Sequence, residues 1–598
     1  MASPATTQTV RPLDALCFDA SGPPQIASVV TDHLRLLGAR TVRPGPAGDG
    51  DAPAAGTTLT GGGFAPAHAT ATWADPVSGL ADEATVQAAT GMMAVHGRRD
   101  GTPRGLAVDY AATATAVLTV QGLLADLVGQ ARGGPAAQVA TGADRAGLLA
   151  VSQYLAAAGA DEGEAADIAP GGPPFTSADG ILFELETLDP GAWAAFWKAL
   201  EAPADAFRTG WRPFQFRYAT ACAPLPAALH TTTRSHGWDR IRRAAAASGA
   251  QVCALRSLAD RAAEHDGAAP WLLTPTKGGA VPGGPGRASG PAAGRPLAGL
   301  TVLEAGRRIQ APLAAHLLGL LGAEVIRIEP PGGDPLRGMP PTCSGISARW
   351  LALNRGKRAV EIDIKAAADR GRLRDMAAHA DVFLHNWAPG KAASLGLDAD
   401  DLGAVNPALV HAYTSGWAGR LDDAPMGTDF MVQARTGVGE AARPEGEVPA
   451  PSLMTLLDVL GGLLGAEAIL AGLLLRERTG RGVRVESSLL GAADTLTGPA
   501  LRRAARGQSP RRPAGFRHPL ATADGWIAPA DADARAAARH DLRDLPTTEA
   551  LSRLYRNGLT AAAVTTELSG LHHDPRFAGT LTRDAHGAPA VPDPWSFA

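Results

Sequence analysis

Two carboxylates in this chain head the same short phrase. Asp429 opens Asp429-Phe430-Met431-Val432-Gln433-Ala434-Arg435-Thr436-Gly437, directly after Gly427-Thr428, and Glu83 opens Glu83-Ala84-Thr85-Val86-Gln87-Ala88-Ala89-Thr90-Gly91. In each copy a glutamine follows the carboxylate by four residues, and a Thr-Gly pair closes the phrase. A carboxylate can attack an electrophilic carbon or carry a proton. Its repetition at fixed spacing marks a duplicated enzyme scaffold, in which one copy is expected to be active. A lone Asp beside glycine is ordinarily a turn residue or helix cap, so the surrounding elements decide what Asp429 does.

The stretch ahead of Asp429 reads as alternating strands and helices. Short apolar strands fall at 300–304, 324–329, 359–364, 381–384 and 409–414, with helices over 312–321 and 365–378. That order predicts an α/β fold built on a parallel, Rossmann-like sheet. After the first strand stands Ala305-Gly306-Arg307-Arg308 rather than G-x-G-x-x-G, which argues against a nicotinamide or flavin dinucleotide. Residues 456–475 are apolar enough to suggest a membrane span, yet they contain Asp458, Glu467 and four glycines. Each acid would cost ~2.5–3.5 kcal/mol at a bilayer centre. A buried core helix is the expectation.

Composition narrows the class. At 598 residues the chain has room for about three to four domains of ~150 residues, and 45% hydrophobic residues suffice for sizeable cores. A net charge of -4 with a pI near 6.4 gives no electrostatic case for nucleic acid or an anionic membrane. Cys17, Cys222, Cys253 and Cys343 are scattered with no C-x-x-C. This suits reduced thiols in the cytoplasm, with no disulfide framework and no metal site. Residues 1–10 are polar and no apolar h-region follows, so no signal peptide is expected.

Residues 274–299, rich in Pro, Gly and Ala, read as an extended linker between residues 1–273 and residues 300–598. The two halves echo each other. The run from His33 to Val42 resembles that from His316 to Val325, Asp109 with Gln121-Gly122 resembles Asp458 with Gly472, and Thr176–Gly180 resembles Ala521–Gly525. About 40 residues separate Val42 from Glu83, against about 100 between Val325 and Asp429. The first copy therefore lacks most of a Rossmann unit. It keeps a longer Trp-rich segment (Trp193, Trp197, Trp211, Trp238) that the second copy has largely lost. Complementary losses are expected where two halves of a former homodimer build one site together. The expected architecture is therefore a Rossmann-like sheet plus a smaller α+β domain, duplicated as an interlocked single-chain pseudo-dimer.

At these residues the second half resembles the family III CoA-transferases, whose fold is shared by α-methylacyl-CoA racemases. The matching pieces are Pro296-Leu297-Ala298-Gly299-Leu300-Thr301-Val302-Leu303-Glu304, the run Leu321–Asp334, Asn354-Arg355-Gly356-Lys357-Arg358, Ala380–Gly390, Asn406-Pro407, the Asp429 phrase and Thr479-Gly480-Arg481-Gly482. Order and spacing agree over about 200 residues. The resemblance implies that Asp429 is a covalent nucleophile that moves CoA from an acyl-CoA donor to a carboxylic acid acceptor. CoA would be a substrate, not a resident cofactor. It further implies CoA contacts from Ile309, Gln310, Leu353, Asn354, Lys357, Arg358, Asn386 and Trp387, with cations meeting the phosphates. Gly171 and Gly172 are the candidate lid over Asp429, supplied by the first half, and Glu83 is read as a relic.

The chain departs from the family pattern in places. No Gly precedes Pro312 in Gln310-Ala311-Pro312, His385 stands before Asn386, and Ser415 and Trp417 follow the fourth strand. Two other functions stay open. One is racemase-like α-proton transfer, against which Thr428 stands where racemases of this fold carry His before the Asp. The other is a degenerate CoA-binding protein. The molecule would act as a monomeric pseudo-dimer or a homo-oligomer of it.

Overall fold

The second half builds its sheet from the strands that the sequence predicts. In the computed structural model, residues 11–42, 54–164, 166–276, 290–292, 294–422 and 424–598 are described. Thr301–Ala305 is an inner strand and pairs in parallel with Glu324–Glu329 on one side and Val382–His385 on the other. Arg358–Glu361 extends the sheet beyond Glu324–Glu329, and Val410–Ser415 then Val483–Ser488 extend it beyond Val382–His385, all in parallel. The strand expected over 359–364 ends at Glu361 because Asp363 bends the chain, its carboxylate accepting from the Lys365 N–H at 2.9 Å. The helix expected from Pro312 begins two residues earlier, as Gln310–Leu320. Proline is tolerated in this first turn, where a backbone N–H has no helical partner to lose.

The seventh strand of this sheet comes from the other half. Trp271–Pro275 pairs antiparallel with Val483–Ser488. The reverse exchange also occurs: Trp595–Phe597 pairs antiparallel with Gln138–Gly142 and completes a six-stranded sheet in the first half. That sheet holds the parallel pair Leu16–Ser21 and Arg40–Thr41 and the parallel pair Phe64–Thr72 and Gln138–Gly142. Between them lies a hairpin, Ala54–Gly61 with Phe64–Thr72, which the sequence reading did not assign. Gly61, Gly62 and Gly63 turn it with φ of 102°, 63° and 83°, a region that side-chain-bearing residues avoid.

The expected linker over 274–299 is shorter than its composition suggests. Residues 277–289 and 293 lie outside the described residues, while Thr274 and Pro275 belong to the exchanged strand. At the far end Leu297 is buried, and its N–H donates to Leu321 O at 3.0 Å. All four cysteines are free thiols.

Two long helices, Tyr110–Ala131 and Leu456–Thr479, pack against each other between the halves. Both are long and apolar enough to cross a membrane, and both are buried inside the molecule. The helix anticipated over 456–475 is thus a core helix, and its partner Tyr110–Ala131 is a second one.

Each half also carries a small antiparallel sheet. Phe175–Thr176, Leu182–Glu186 and Gln251–Ala254 form one, closed by helices around Trp193, Trp197, Phe196 and Phe214. It packs on the helix Asp429–Arg435 of the other half. Leu520–Ala521, Trp526–Pro529 and Ala561–Ala563 form the counterpart, which packs on the helix Glu83–Ala89.

Candidate active site

Asp429 is the first residue of the helix Asp429–Arg435 and is buried, with 4% of its surface exposed. Its Oδ1 accepts from Gln433 Nε2 at 2.5 Å, one helical turn on, and its Oδ2 accepts from the Asp458 N–H at 2.7 Å. Gln433 is fixed in turn: its Oε1 accepts from the Ser452 N–H at 2.8 Å and its Nε2 donates to Ser452 O at 2.9 Å. The four-residue spacing of the repeated phrase is the spacing this bond needs. Ser452 Oγ lies 2.8 Å from His96 Nδ1, contributed by the first half. Ahead of the helix, Gly427 and Gly416 touch backbone to backbone, and a Cβ on Gly416 would fall 2.4 Å from Gly427 Cα.

Burial raises both acids of this pair. Asp429 is pushed up to about 6, restrained by the bond from Gln433. Asp458 is pushed up to about 8, by burial first and then by the Asp429 charge beside it. Two like charges this close cannot both form at low cost, so the pair gives up its first proton well before its second. Near neutrality the arrangement presents one carboxylate and one carboxylic acid.

A cavity of about 410 Å³ opens onto this pair. One wall comes from the first half, with Glu186–Leu188, Trp211 and Gln215–Tyr218; the other comes from the second, with Arg308, Ile309, Pro335, Leu336, residues 338–340, Thr428, Phe430 and Thr455. Thr428 Oγ1 donates to Glu186 Oε2 at 2.8 Å across the seam, and Arg217 pairs with Glu186 at 3.1 Å beside the Phe430 ring. Arg308 was missed by the sequence reading. It makes no ion pair among the described residues, and its positive charge favours the ionised form of Asp458. A signal was present. Arg308 lies in the loop after the first parallel strand, at the carboxyl end of the sheet, where ligands of open α/β sheets bind.

The other predicted contacts separate into those at this cavity and those elsewhere. Ile309 lines it. Gln310 is buried behind Ile309, with Nε2 3.5 Å from Ser415 O. Leu353 is a core residue. Lys357 is not a free cation: its ammonium donates to Glu304 Oε2 at 2.8 Å, Pro312 O at 2.7 Å and Asn354 Oδ1 at 2.9 Å. Its Asn354 partner is buried too, and donates to Trp350 O. Arg358 pairs with Glu324 on the outer edge of the sheet. Asn386 braces the loop before Arg308, accepting from the Arg307 N–H and donating to Arg307 O, both at 2.9 Å. Trp387 packs on Phe383 and His385. Gly171 and Gly172 do not line the cavity. Gly172 instead abuts Leu453, next to Ser452, where a Cβ would fall 2.8 Å from the Leu453 side chain. The covering wall from the first half is the helix Ala204–Thr220.

A family model described as CoA-transferase family III matches residues 74–287 and 297–571. This chain belongs to that family. Among curated proteins it is similar to succinyl-CoA:glutarate CoA-transferase of Mus musculus, 34% identical over 202 residues that cover 33% of this chain and 46% of the relative. It is also similar to acetyl-CoA:oxalate CoA-transferase of Acetobacter aceti, 34% identical over 229 residues, 38% of this chain and 58% of that one. A solved CaiB/BaiF family protein from Brucella suis is 27% identical, with a TM-score of 0.44 and coverage of 50% of this chain and 91% of that one. The chain spans about half the length of the first curated relatives it matches.

The two matched segments of this family III chain each contain one carboxylate phrase. Glu83 repeats the Asp429 bonding: Oε1 accepts from Gln87 Nε2 and the Ala111 N–H, Oε2 from the Ala112 N–H, each at 2.8 Å. Gln87 Oε1 accepts from the Leu106 N–H at 2.8 Å, as Gln433 does from Ser452. This register sets Ala112, not Asp109, opposite Asp458. The second acid of the pair is therefore missing, and an arginine occupies the ground. Arg517 Nη1 donates to Leu106 O and Val108 O at 3.0 Å, while Nη2 pairs with Asp109 and Asp531 at 2.6 Å. Extending the Thr176–Gly180 echo places Gly172 at the position that Arg517 takes in the other copy. Burial pushes Glu83 up to about 7, against the pull of Arg517.

Proposed function

We propose that this protein transfers CoA between an acyl-CoA and a carboxylic acid, with Asp429 as the covalent carrier. The observation that carries this reading is an ionisable, anchored carboxylate at a cavity walled by both halves of a family III chain. The Asp429 carboxylate attacks the thioester carbon, the C–S bond breaks, and CoA leaves as the thiolate. The thiolate attacks the aspartyl carbonyl of the mixed anhydride, releasing the donor acid as its carboxylate. Asp429 then holds CoA as a thioester. The acceptor carboxylate attacks that thioester, and the released thiolate takes the acyl group from the second anhydride, restoring Asp429. Protons are neither gained nor lost overall. A neutral Asp458 spares the Asp429 anion like-charge repulsion. CoA would reach Asp429 past Ile309, with Asn386 acting indirectly by holding the loop that carries Arg308.

The pairing of each half's small sheet with the other half's carboxylate helix supports an interlocked pseudo-dimer, with one working site per chain. Incubation with an acyl-CoA panel, hydroxylamine trapping and peptide mass spectrometry tests the mechanism. Label on the Asp429 peptide, at no more than one per chain, is the expected result. Deuterium entering the α-carbon of the acyl group without any label would move the protein to the racemase reading.

Two further outcomes follow from the same geometry. Gln433→Leu removes the donor to Asp429 and should lower turnover about 10²-fold. It should also shift the acid limb of the pH profile upward, because the bond that restrains the Asp429 pKa is gone. An unshifted limb would separate Gln433 from Asp429 ionisation. In the parent protein that limb should have its midpoint near 6, since Asp429 reacts as the anion. Stability should run the other way. Both acids have folded values raised above the ordinary 3.8, so their contribution is full below that value and is lost as pH rises through about 6 and about 8. Melting curves across this window would show a falling midpoint, and a rising one would contradict the assignment.

A further inference from the structure

A second cavity, of about 490 Å³, lies where the helix Pro24–Leu36 of the first half meets the helix Leu489–Ala505 of the second. Val29, Pro270 and Leu501 are among its apolar walls. Asp429 does not line it. His33 does, although only 3% of that residue is exposed. The imidazole is held on two sides. Its Nδ1 lies 3.0 and 3.1 Å from the two oxygens of Glu467, which is wholly buried, and its ring meets Trp271 edge-on at 4.9 Å. In the tautomer in which Nδ1–H donates to the Glu467 carboxylate, Nε2 is left as an acceptor. Among the described residues Nε2 has no partner.

The duplicated architecture supplies a control for what this pair does. The pairings Cys17–Arg40 and Thr301–Glu324 set the two halves in register and place Leu317, not His316, at the position of His33. The bonds from the Ala112 and Asp458 N–H groups to Glu83 and Asp429 set the two long helices in register and place Gln121 at the position of Glu467. Leu317 and Gln121 are both buried. The other copy of the seam therefore folds with a leucine and an amide. Burying an imidazole and a carboxylate costs more than burying that pair, so closing the seam does not account for His33 and Glu467.

Both acids that line the cavity are paired. Asp494 receives both arms of Arg261, at 2.8 and 2.6 Å, and Asp32 lies 3.6 Å from Arg502. The rim residues Arg11 and Arg35 are exposed to solvent. We propose that this seam cavity is a second ligand site, for a neutral small molecule with an apolar body that donates one O–H or N–H to His33 Nε2. The volume suits a compact ring or branched chain.

Phenol, toluene and benzoate serve as probes, titrated by calorimetry into the full chain and into His33→Leu/Glu467→Gln. That double variant installs the residue types that the other seam uses, and unchanged acyl-CoA labelling at Asp429 would certify its fold. Saturable phenol binding, at least tenfold weaker in the double variant, is expected. Toluene should bind weakly and equally to both proteins. The proposal is overturned by phenol binding of equal strength in the two proteins, by no saturable phenol binding to the parent, by toluene matching phenol, or by benzoate binding more tightly than phenol.

Discussion

Asp429→Ala should reduce CoA exchange by about 10⁴-fold or more, the scale on which loss of a covalent nucleophile is felt. Asp429→Asn should fail as completely, because an amide keeps the shape but cannot form the anhydride. Neither variant should lose its fold. Asp429 is a buried acid whose ionisation opposes that of Asp458, so its removal relieves a like-charge contact as well as breaking bonds. With Asp429 gone, Asp458 should titrate at lower pH, and above about pH 6 the alanine variant should melt no lower than the parent. Steady-state rates and melting curves on the same preparations check both halves of the prediction. Residual turnover within tenfold of the parent would remove Asp429 from the mechanism.

The second large effect is structural and belongs to the other carboxylate. Arg517→Ala should destabilise the protein by about 3–5 kcal/mol, the cost of leaving buried charge uncompensated. The Arg517 side chain is 1% exposed and gathers Asp109, Asp531 and two backbone carbonyls, with Glu83 alongside. Without it the carboxylates of Glu83, Asp109 and Asp531 are left without their shared cation. The deficit should be greatest at alkaline pH and shrink on acidification, since Glu83 and its neighbours then take up protons in the folded state. Urea titrations at two pH values measure this, and a deficit independent of pH would mean that packing alone is lost. Labelling at Asp429 should survive in whatever fraction stays folded, because Arg517 does not line that cavity.

These two residues mark how far the sequence could be read. Glu324–Glu329 falls on its predicted bounds because a short β-branched run, Val325, Ile326 and Ile328, leaves a local signature. The Asp429 to Gln433 spacing was equally local, being one turn of helix. The hairpin Ala54–Gly61 with Phe64–Thr72 was invisible, since alanine, threonine and glycine alternate without contrast in hydrophobicity. Lys357 looked like a phosphate ligand because its partner Glu304 is 53 residues away and no local pattern ties the two. Arg308, Asp458 and the wall from Trp211 to Tyr218 share a cavity only because the halves are brought together, and that contact has no local signature.

The exchanged strands bear on how the chain is made. Thr141 pairs with Trp595, so the sheet of the first half cannot close until some 450 further residues have been synthesised. At about 5–20 residues per second this takes on the order of 25–90 s. Throughout that interval Gln138–Gly142 presents an open edge of N–H and C=O groups, the kind of edge that recruits stray strands. Trp271–Pro275 waits as well, because its partner Val483–Ser488 follows about 200 residues later. Neither half can finish before the other, and the hazard in the life of this molecule falls at the ribosome, before it has a site with which to act.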